Sequence, residues 1–379
     1  MTESSLTQRL EIEVDNYQQT VLALRALANE ILFDENTRDI RQGGSAHCGR
    51  RFRTSPRNRH TPGTNVHPDL AVVRSASSGI LAEAKLGFDS DPTLFERRIV
   101  QTAKQLEKYD DDLTGWPVRD GQGALRHDLA LLVNFEDARR AVRRLCTLMQ
   151  EGGLALERQF AVLSISRLAR SSGEWPTLAL EHGSLTDSGK TEKLDNRIPI
   201  RPEILDASPV FGQIRLCDHE PPLPLMMQLV HQALVSNLTA DESEQYNLEG
   251  EVLKELSVGQ LQHWLGPYAF KRSDSRDPVV PRREWIRAAL SRFIDMGWAS
   301  KAGSGPDRFT YHHKRGRKGC NDPLGRFVEV CARYAEQAER KKRRQEGRAR
   351  ERRQREREKL KKRHPLFAEQ IALEDGLSP

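Results

Sequence analysis

Apolar residues recur at helical spacing from Tyr17 to Phe33, where Val21, Leu24, Leu27, Ala28, Ile31 and Leu32 fall on one stripe. The spacing predicts one helix. The pattern then breaks: residues 38–65 hold a glycine pair, two prolines and many arginines, which predicts loop or irregular strand. Two short apolar runs, about 69–74 and 79–86, predict neighbouring strands. "PTLFERRIVQTAKQLEKYD" (92–110) returns to helical spacing, with Pro92 in the first turn, where its missing N–H costs nothing. "HDLALLVNF" (127–135) is a continuous apolar run and predicts a buried strand, followed by a helix over 136–150. "RQFAVLSISRL" and "WPTLALEHG" predict two more strands. Helix, strands, helix, strand in that order predicts an α/β domain with a mixed sheet.

Between 183 and 222 the texture turns to Gly, Ser, Asp and Pro, ending in "EPPLPL", which predicts a domain boundary. Beyond it, "LMMQLVHQALVSNL", "SVGQLQHWLG" and "RREWIRAALSRFIDMG" read as helices, the second with Ser257 as N-cap. "WASKAGSGPDRFTYHH" reads as two short strands about a glycine-rich turn. Three helices and a terminal hairpin in this order resemble a winged-helix domain. From about 324 the chain is helical and then strongly charged.

Charge refines this picture. The whole chain carries +6, yet residues 336–363 alone hold 15 Lys or Arg against 6 Glu, a net +9, so the remainder is at −3. A polyanion would meet local patches rather than the whole surface. The tail has almost no apolar a/d positions, which argues against a coiled coil, and its alternating Glu and Arg or Lys suits a solvated helix. No run is apolar enough for a membrane span, and the first residues lack a secretion-signal pattern. Five cysteines without a CxxC point to reduced thiols and a cytoplasmic setting. His47-Cys48 with His60, and His312-His313 with Cys320, do not match zinc spacings.

The chemistry concentrates in "PDLAVVRSASSGILAEAKLG" (68–87). Residues i and i+2 of a strand share a face, so Glu83 and Lys85 point the same way and Ala84 the other. Asp69, on the neighbouring strand, can meet them. Two adjacent buried carboxylates repel, and a divalent cation relieves both repulsion and burial. Oxygen ligands of this kind suit Mg²⁺ or Mn²⁺. Lys85 can then polarise a water or offset charge on a phosphate. The plainer alternative is a salt-bridged strand pair.

Pro68-Asp69, thirteen intervening residues and Glu83-Ala84-Lys85 resemble the PD-(D/E)xK, restriction-endonuclease-like nuclease superfamily over roughly residues 17–135. The resemblance implies that Asp69 and Glu83 bind Mg²⁺ (or Mn²⁺), that Ala84 adds its carbonyl, that Lys85 orients the attacking water, and that an acid on the first helix completes the site. Glu30 matches that acid best, with Glu35 second. "QLEKY" places Gln105 and Tyr109 one helical turn apart and resembles the QxxxY motif of RecB-like nucleases, with Gln101 on the same face. The plain reading of this stretch is an amphipathic helix with a polar edge. The expected domains are then a nuclease domain over 1–215, a winged helix over 220–315 and a basic helical tail over 316–379.

Seven arginines (Arg38, Arg41, Arg50, Arg51, Arg53, Arg57, Arg59) run into the Asp69 strand and are placed to neutralise phosphates. In the winged-helix stretch, Arg283 and Arg287 fall away from the apolar stripe, where a recognition helix meets a groove, and Lys301 and Arg308 flank the wing. "KRGRKG" faintly resembles an AT-hook core. The expected function is metal-dependent cleavage of DNA, fitting bacterial defence or DNA processing by analogy. The rivals are a catalytically inert DNA-binding protein and a nuclease effector docked in a larger complex through the winged helix. A protein partner or a homodimer is compatible with each.

Overall fold

A computed structural model describes residues 5–34, 39–40, 44–55, 63–74, 78–88, 91–116, 126–166, 178–185, 214–238, 251–269, 281–302, 305, 307–314 and 323–363. In chain order the elements are α1 (Leu6–Leu32), β1 (Phe33–Asp34), β2 (Asp39–Ile40), β3 (Ser45–His47), β4 (Phe52–Ser55), β5 (Asn65–Val66), β6 (Leu70–Val73), β7 (Ser78–Lys85), α2 (Pro92–Asp110), β8 (Asp112–Thr114), β9 (Arg126–Asn134), α3 (Phe135–Gln150), β10 (Phe160–Ile165) and β11 (Leu178–Gly183). These are followed by α4 (Leu223–Leu238), β12 (Glu251–Ser257), α5 (Val258–Leu265), α6 (Arg283–Asp295), β13 (Ala299–Lys301), β14 (Arg308–Lys314) and α7 (Pro323–Arg363). The chain forms two compact units, Ile12–Asn321 and Met1–Glu11 with Asp322–Pro379. No helix among the described residues is long and apolar enough to cross a membrane.

The larger unit is mixed α/β. Its main sheet has the order β11-β10-β9-β7-β6-β3; β9 runs parallel to β7 and β10, and the outer pairings are antiparallel. Every residue of β9 after Arg126 is buried, as expected of a central strand covered on both faces. Alternate residues Leu81, Leu129, Leu131, Val133 and Val162 form one apolar layer with Phe95, Ile99 and Leu106 of α2 and Ala141 and Leu145 of α3. The α2 stripe begins behind an Asp91 cap, whose Oδ1 accepts from Thr93 N at 2.7 Å and Leu94 N at 3.2 Å. The same stripe ends at Tyr109, which it therefore delivers to the sheet.

The arginine-rich stretch contains short strands that its composition conceals: β3 extends the main sheet, and β4 lies between β5 and β8 in a second small one. Gly, Arg and Thr carry little apolar periodicity, so only the tertiary partners reveal these strands.

Residues on both sides of the expected divide near 183–222 belong to the larger unit. Leu216 bridges to Ala269, and Arg215 N and Leu216 N both donate to Tyr268 O. The strands that follow build the sheet β12-β14-β13. Glu251–Ser257 is β12, although Val252, Leu253 and Leu256 are spaced as well for a helix as for a strand. Ser257 closes the strand and caps α5 in a reciprocal pair with Gln260. Along α6, Trp285, Ile286, Ala289, Leu290 and Phe293 are buried. In α7, residues 336–356 are all exposed, with Glu336–Arg340 and Glu339–Arg343 pairs one turn apart. That stretch is a solvated charged helix, as its sequence predicts.

Candidate metal centre

Asp69 immediately precedes β6. Leu70 pairs with Ala82 across the antiparallel β6–β7 ladder. One further step places Asp69 opposite Glu83, and opposite residues share a face at close range. Both are nearly sealed from water, at 3% and 2% exposure. Burial, and next the Asp69 charge, push the Glu83 carboxyl up from its ordinary 4.5 to about 7. Lys85 and Tyr109 draw it back only in part.

Each carboxylate oxygen of this pair has a protein partner. Lys85 Nζ, two residues along the same face, lies 2.5 Å from Glu83 Oε1. Tyr109 OH donates to Glu83 Oε2 at 2.8 Å, with the His67 carbonyl a longer alternative at 3.2 Å. Burial, and then Glu83, hold the Tyr109 phenol far above its usual range, so it stays a neutral donor. Ala84 meets the site through its N–H, which donates to Asp69 Oδ2 at 2.7 Å. Asp69 Oδ1 faces His219 Nε2 at 2.8 Å.

His219 and its neighbour Asp218 arrive from the segment read as linker. One ligand atom each from Asp69, Asp218 and His219 lie within 4.8 Å of one another, the one such trio among the described residues. Tyr17 of α1 holds the segment: its hydroxyl accepts from Cys217 N at 3.1 Å and lies 3.4 Å from the His219 carbonyl. Gly49, at φ 62°, lets Asp218 approach so closely that a side chain there would place its Cβ 2.2 Å from Asp218 Cβ. Burial raises the Asp218 carboxyl to about 6, and its Oδ1 is buried without a hydrogen-bond partner. The bond to Asp69 lifts His219 to about 9, which keeps it an imidazolium at neutral pH.

The other expected residues divide. Glu30 is half-buried on α1 and is not among the ligand groups that converge here; α1 contributes Tyr17 instead. Glu35 lies outside the described residues. Gln105 is half-buried one turn before Tyr109 and makes no hydrogen bond to the carboxylates, and Gln101 is exposed. Arg50, expected on the phosphate-facing loop, is fully buried, and its Nε donates to the Gly115 carbonyl at 2.7 Å. It anchors the loop and cannot meet a surface phosphate. Arg51 and Arg53 are exposed and line a cleft of about 960 Å³ with Arg282, His67 and Asn65, one wall of which is Asp218. Arg38, Arg41, Arg57 and Arg59 lie outside the described residues.

Arg283, Arg287, Lys301 and Arg308 are all exposed. Arg287 Nε donates to Asp307 at 2.9 Å, Arg308 meets Glu255 at 3.1 Å, and Arg283 leans on Gln262 at 3.4 Å. Exposed pairs of this kind are worth at most about 1 kcal/mol, so a phosphate can displace them.

Sequence reasoning missed Asp218 and His219. The only local signal was a run of titratable residues, Cys217-Asp218-His219-Glu220, in a stretch otherwise rich in Pro and apolar residues. No family description, no curated protein and no solved structure matches this chain.

Proposed function

We propose that this protein is a metal-dependent deoxyribonuclease of the PD-(D/E)xK kind. The observation that carries the reading is a pair of buried carboxylates, Asp69 and Glu83, opposite each other on one sheet face, with Lys85 on the same face. Such a pair is costly in a protein without a cation. The donor set fits a divalent ion: oxygens dominate, and Asp218 Oδ1 is a buried acceptor with no partner. Asp69 and Glu83 would hold Mg²⁺ or Mn²⁺. The ion would supply Lewis acidity and stabilise charge building on the phosphate. Tyr109 fixes the orientation of Glu83 by its 2.8 Å bond. Lys85, 30% exposed at its side chain, is free to turn from Glu83 toward a water and hold it for attack on phosphorus. Arg51, Arg53 and Arg282 in the cleft beside the site would grip the flanking phosphates.

In the second half, the order helix, strand, helix, helix, hairpin supports a winged-helix reading, with Arg283, Arg287, Lys301 and Arg308 toward DNA. The exposed basic stretch of α7 would add affinity without sequence preference.

One observation favours the inert DNA-binding alternative. Both oxygens of Asp69 and both of Glu83 already have protein partners without an ion. Cleavage of linear, circular and single-stranded DNA with Mg²⁺ or Mn²⁺, against EDTA, separates the readings. Lys85→Ala should slow cleavage about 100-fold or more while leaving DNA binding intact. A wild-type protein that cuts none of the three substrates with either ion would refute a free-standing nuclease, and early unfolding of Lys85→Ala would then favour the inert reading over an effector idle outside its complex.

A further inference from the structure

Resting on the reading of Asp69 and Glu83 as a cation site, we infer that His219 and Asp218 are also ligands of that cation, and that the site takes a first-row transition ion such as Mn²⁺ in preference to Mg²⁺. Geometry is the first support. Two ligand atoms bound at right angles to one ion, each at about 2.1 Å, lie about 3 Å apart, and two bound opposite each other lie about 4.2 Å apart. His219 Nε2 and Asp69 Oδ1 are 2.8 Å apart, and the trio with Asp218 fits within 4.8 Å. The first separation is close to an octahedral edge and the second bounds the trio, so an ion could enter with side-chain shifts once His219 gives up the proton it shares with Asp69.

A second, independent support is Asp218 Oδ1. A buried carboxylate oxygen without a hydrogen-bond partner is costly unless something absent from the protein satisfies it. The approach to Gly49, which a side chain at that position would block, and the Tyr17 bonds to Cys217 N–H and the His219 carbonyl hold the two residues over Asp69. The His219 side chain is 48% exposed, which leaves an entry path from solvent. The chemistry of the donor set then decides the ion. Mg²⁺ seeks hard oxygen donors, whereas one imidazole nitrogen among carboxylates shifts preference toward first-row transition ions. The site would thus be assembled from three separate stretches of chain: Asp69, Glu83 and Asp218-His219.

The experiment is electron spin-echo spectroscopy of the full chain loaded with Mn²⁺, with affinity taken from the free-Mn²⁺ signal and Mg²⁺ measured by competition. The wild type should show modulation from a directly bound imidazole nitrogen. His219→Ala should lose that modulation, bind Mn²⁺ about 10- to 100-fold more weakly, and keep its Mg²⁺ affinity within a few fold. Asp218→Asn should retain the nitrogen signal but weaken both ions, which keeps the test informative if His219→Ala folds poorly. Wild-type protein that binds Mn²⁺ without nitrogen modulation, or His219→Ala with unchanged Mn²⁺ affinity, overturns the inference. If Asp69→Asn still abolishes binding in that case, the nuclease reading survives it. Wild type that binds neither ion overturns both.

Discussion

Replacing Glu83 by glutamine should stabilise the metal-free protein at pH 8 and leave it nearly unchanged at pH 4. Glu83 titrates near 7 in the folded chain against an ordinary 4.5. A carboxyl raised in this way contributes stability that is complete below pH 4.5 and is lost as pH rises through about 7. At 1.36 kcal/mol per unit, the full loss by pH 8 is about 3 kcal/mol. Glutamine keeps the shape and never ionises, so it escapes that loss. It also gives up the charge of the Lys85 contact, but Lys85 is 30% exposed and can turn to water. The net gain at pH 8 should be about 2 kcal/mol, the remainder being lost with the Lys85 contact to a buried carboxylate. Urea unfolding in EDTA at pH 4, 6 and 8, followed by tryptophan fluorescence, measures it, because Trp116, Trp285 and Trp298 all lie in the larger unit. A variant less stable than wild type at pH 8, or a difference that does not widen between pH 4 and pH 8, would refute the electrostatic account. Saturating Mn²⁺ should reverse the order, since an ion at a hundred times its Kd stabilises only the protein that binds it, by about 2.7 kcal/mol.

Two further outcomes follow from the structure. Asp110, 7% exposed, accepts from Glu157 N at 3.1 Å and Arg158 N at 2.9 Å; Asp110→Ala should cost about 2 to 3 kcal/mol by stranding these donors, with Asp110→Asn recovering part, and a loss below about 0.5 kcal/mol in urea unfolding would show that water replaces the carboxylate. Removing residues 336–379 should make the slope of log DNA affinity against log salt shallower by about 0.9 for each phosphate that the tail had neutralised, and an unchanged slope would show that the basic stretch of α7 does not touch DNA.

The parts legible in the sequence were those in which one periodicity ran uninterrupted. The β6, β7 and β9 runs and the α2 and α3 stripes are long or clean enough for local pattern to match the tertiary answer. Strand parity likewise put Glu83 and Lys85 on one face before any partner was known. Legibility failed where the partner is distant. The β3 and β4 strands take their identity from β6 and β8, not from their own Ser, Arg and Thr residues. Arg50 reads as a solvated arginine until the Gly115 carbonyl, 65 residues on, is seen to receive it. His219 is 150 positions from Asp69, and no local feature of "CDHE" announces that separation closing to 2.8 Å.

That closure bears on which reading of the site is right. Asp69, Glu83 and Asp218 bring three carboxylates, while Lys85 and His219 bring two cations. Arg282 stands farther out, its guanidinium over the Trp285 ring and 3.5 Å from the Asp218 backbone carbonyl, and its charge offsets the rise of the Asp218 carboxyl only in part. With every group ionised, the cluster is one negative charge in excess. A network made only to bridge strands would close its charge, because an uncompensated buried carboxylate costs several kcal/mol. Here the excess is instead absorbed by titration: the Glu83 carboxyl is pushed to about 7 and that of Asp218 to about 6, each chiefly by burial and further by Asp69. Near neutral pH both carboxyls therefore sit within reach of losing a proton to an arriving cation. With His219 deprotonated to serve as a ligand, the excess would be two negative charges, which a divalent ion would balance, as expected of a site built to be occupied.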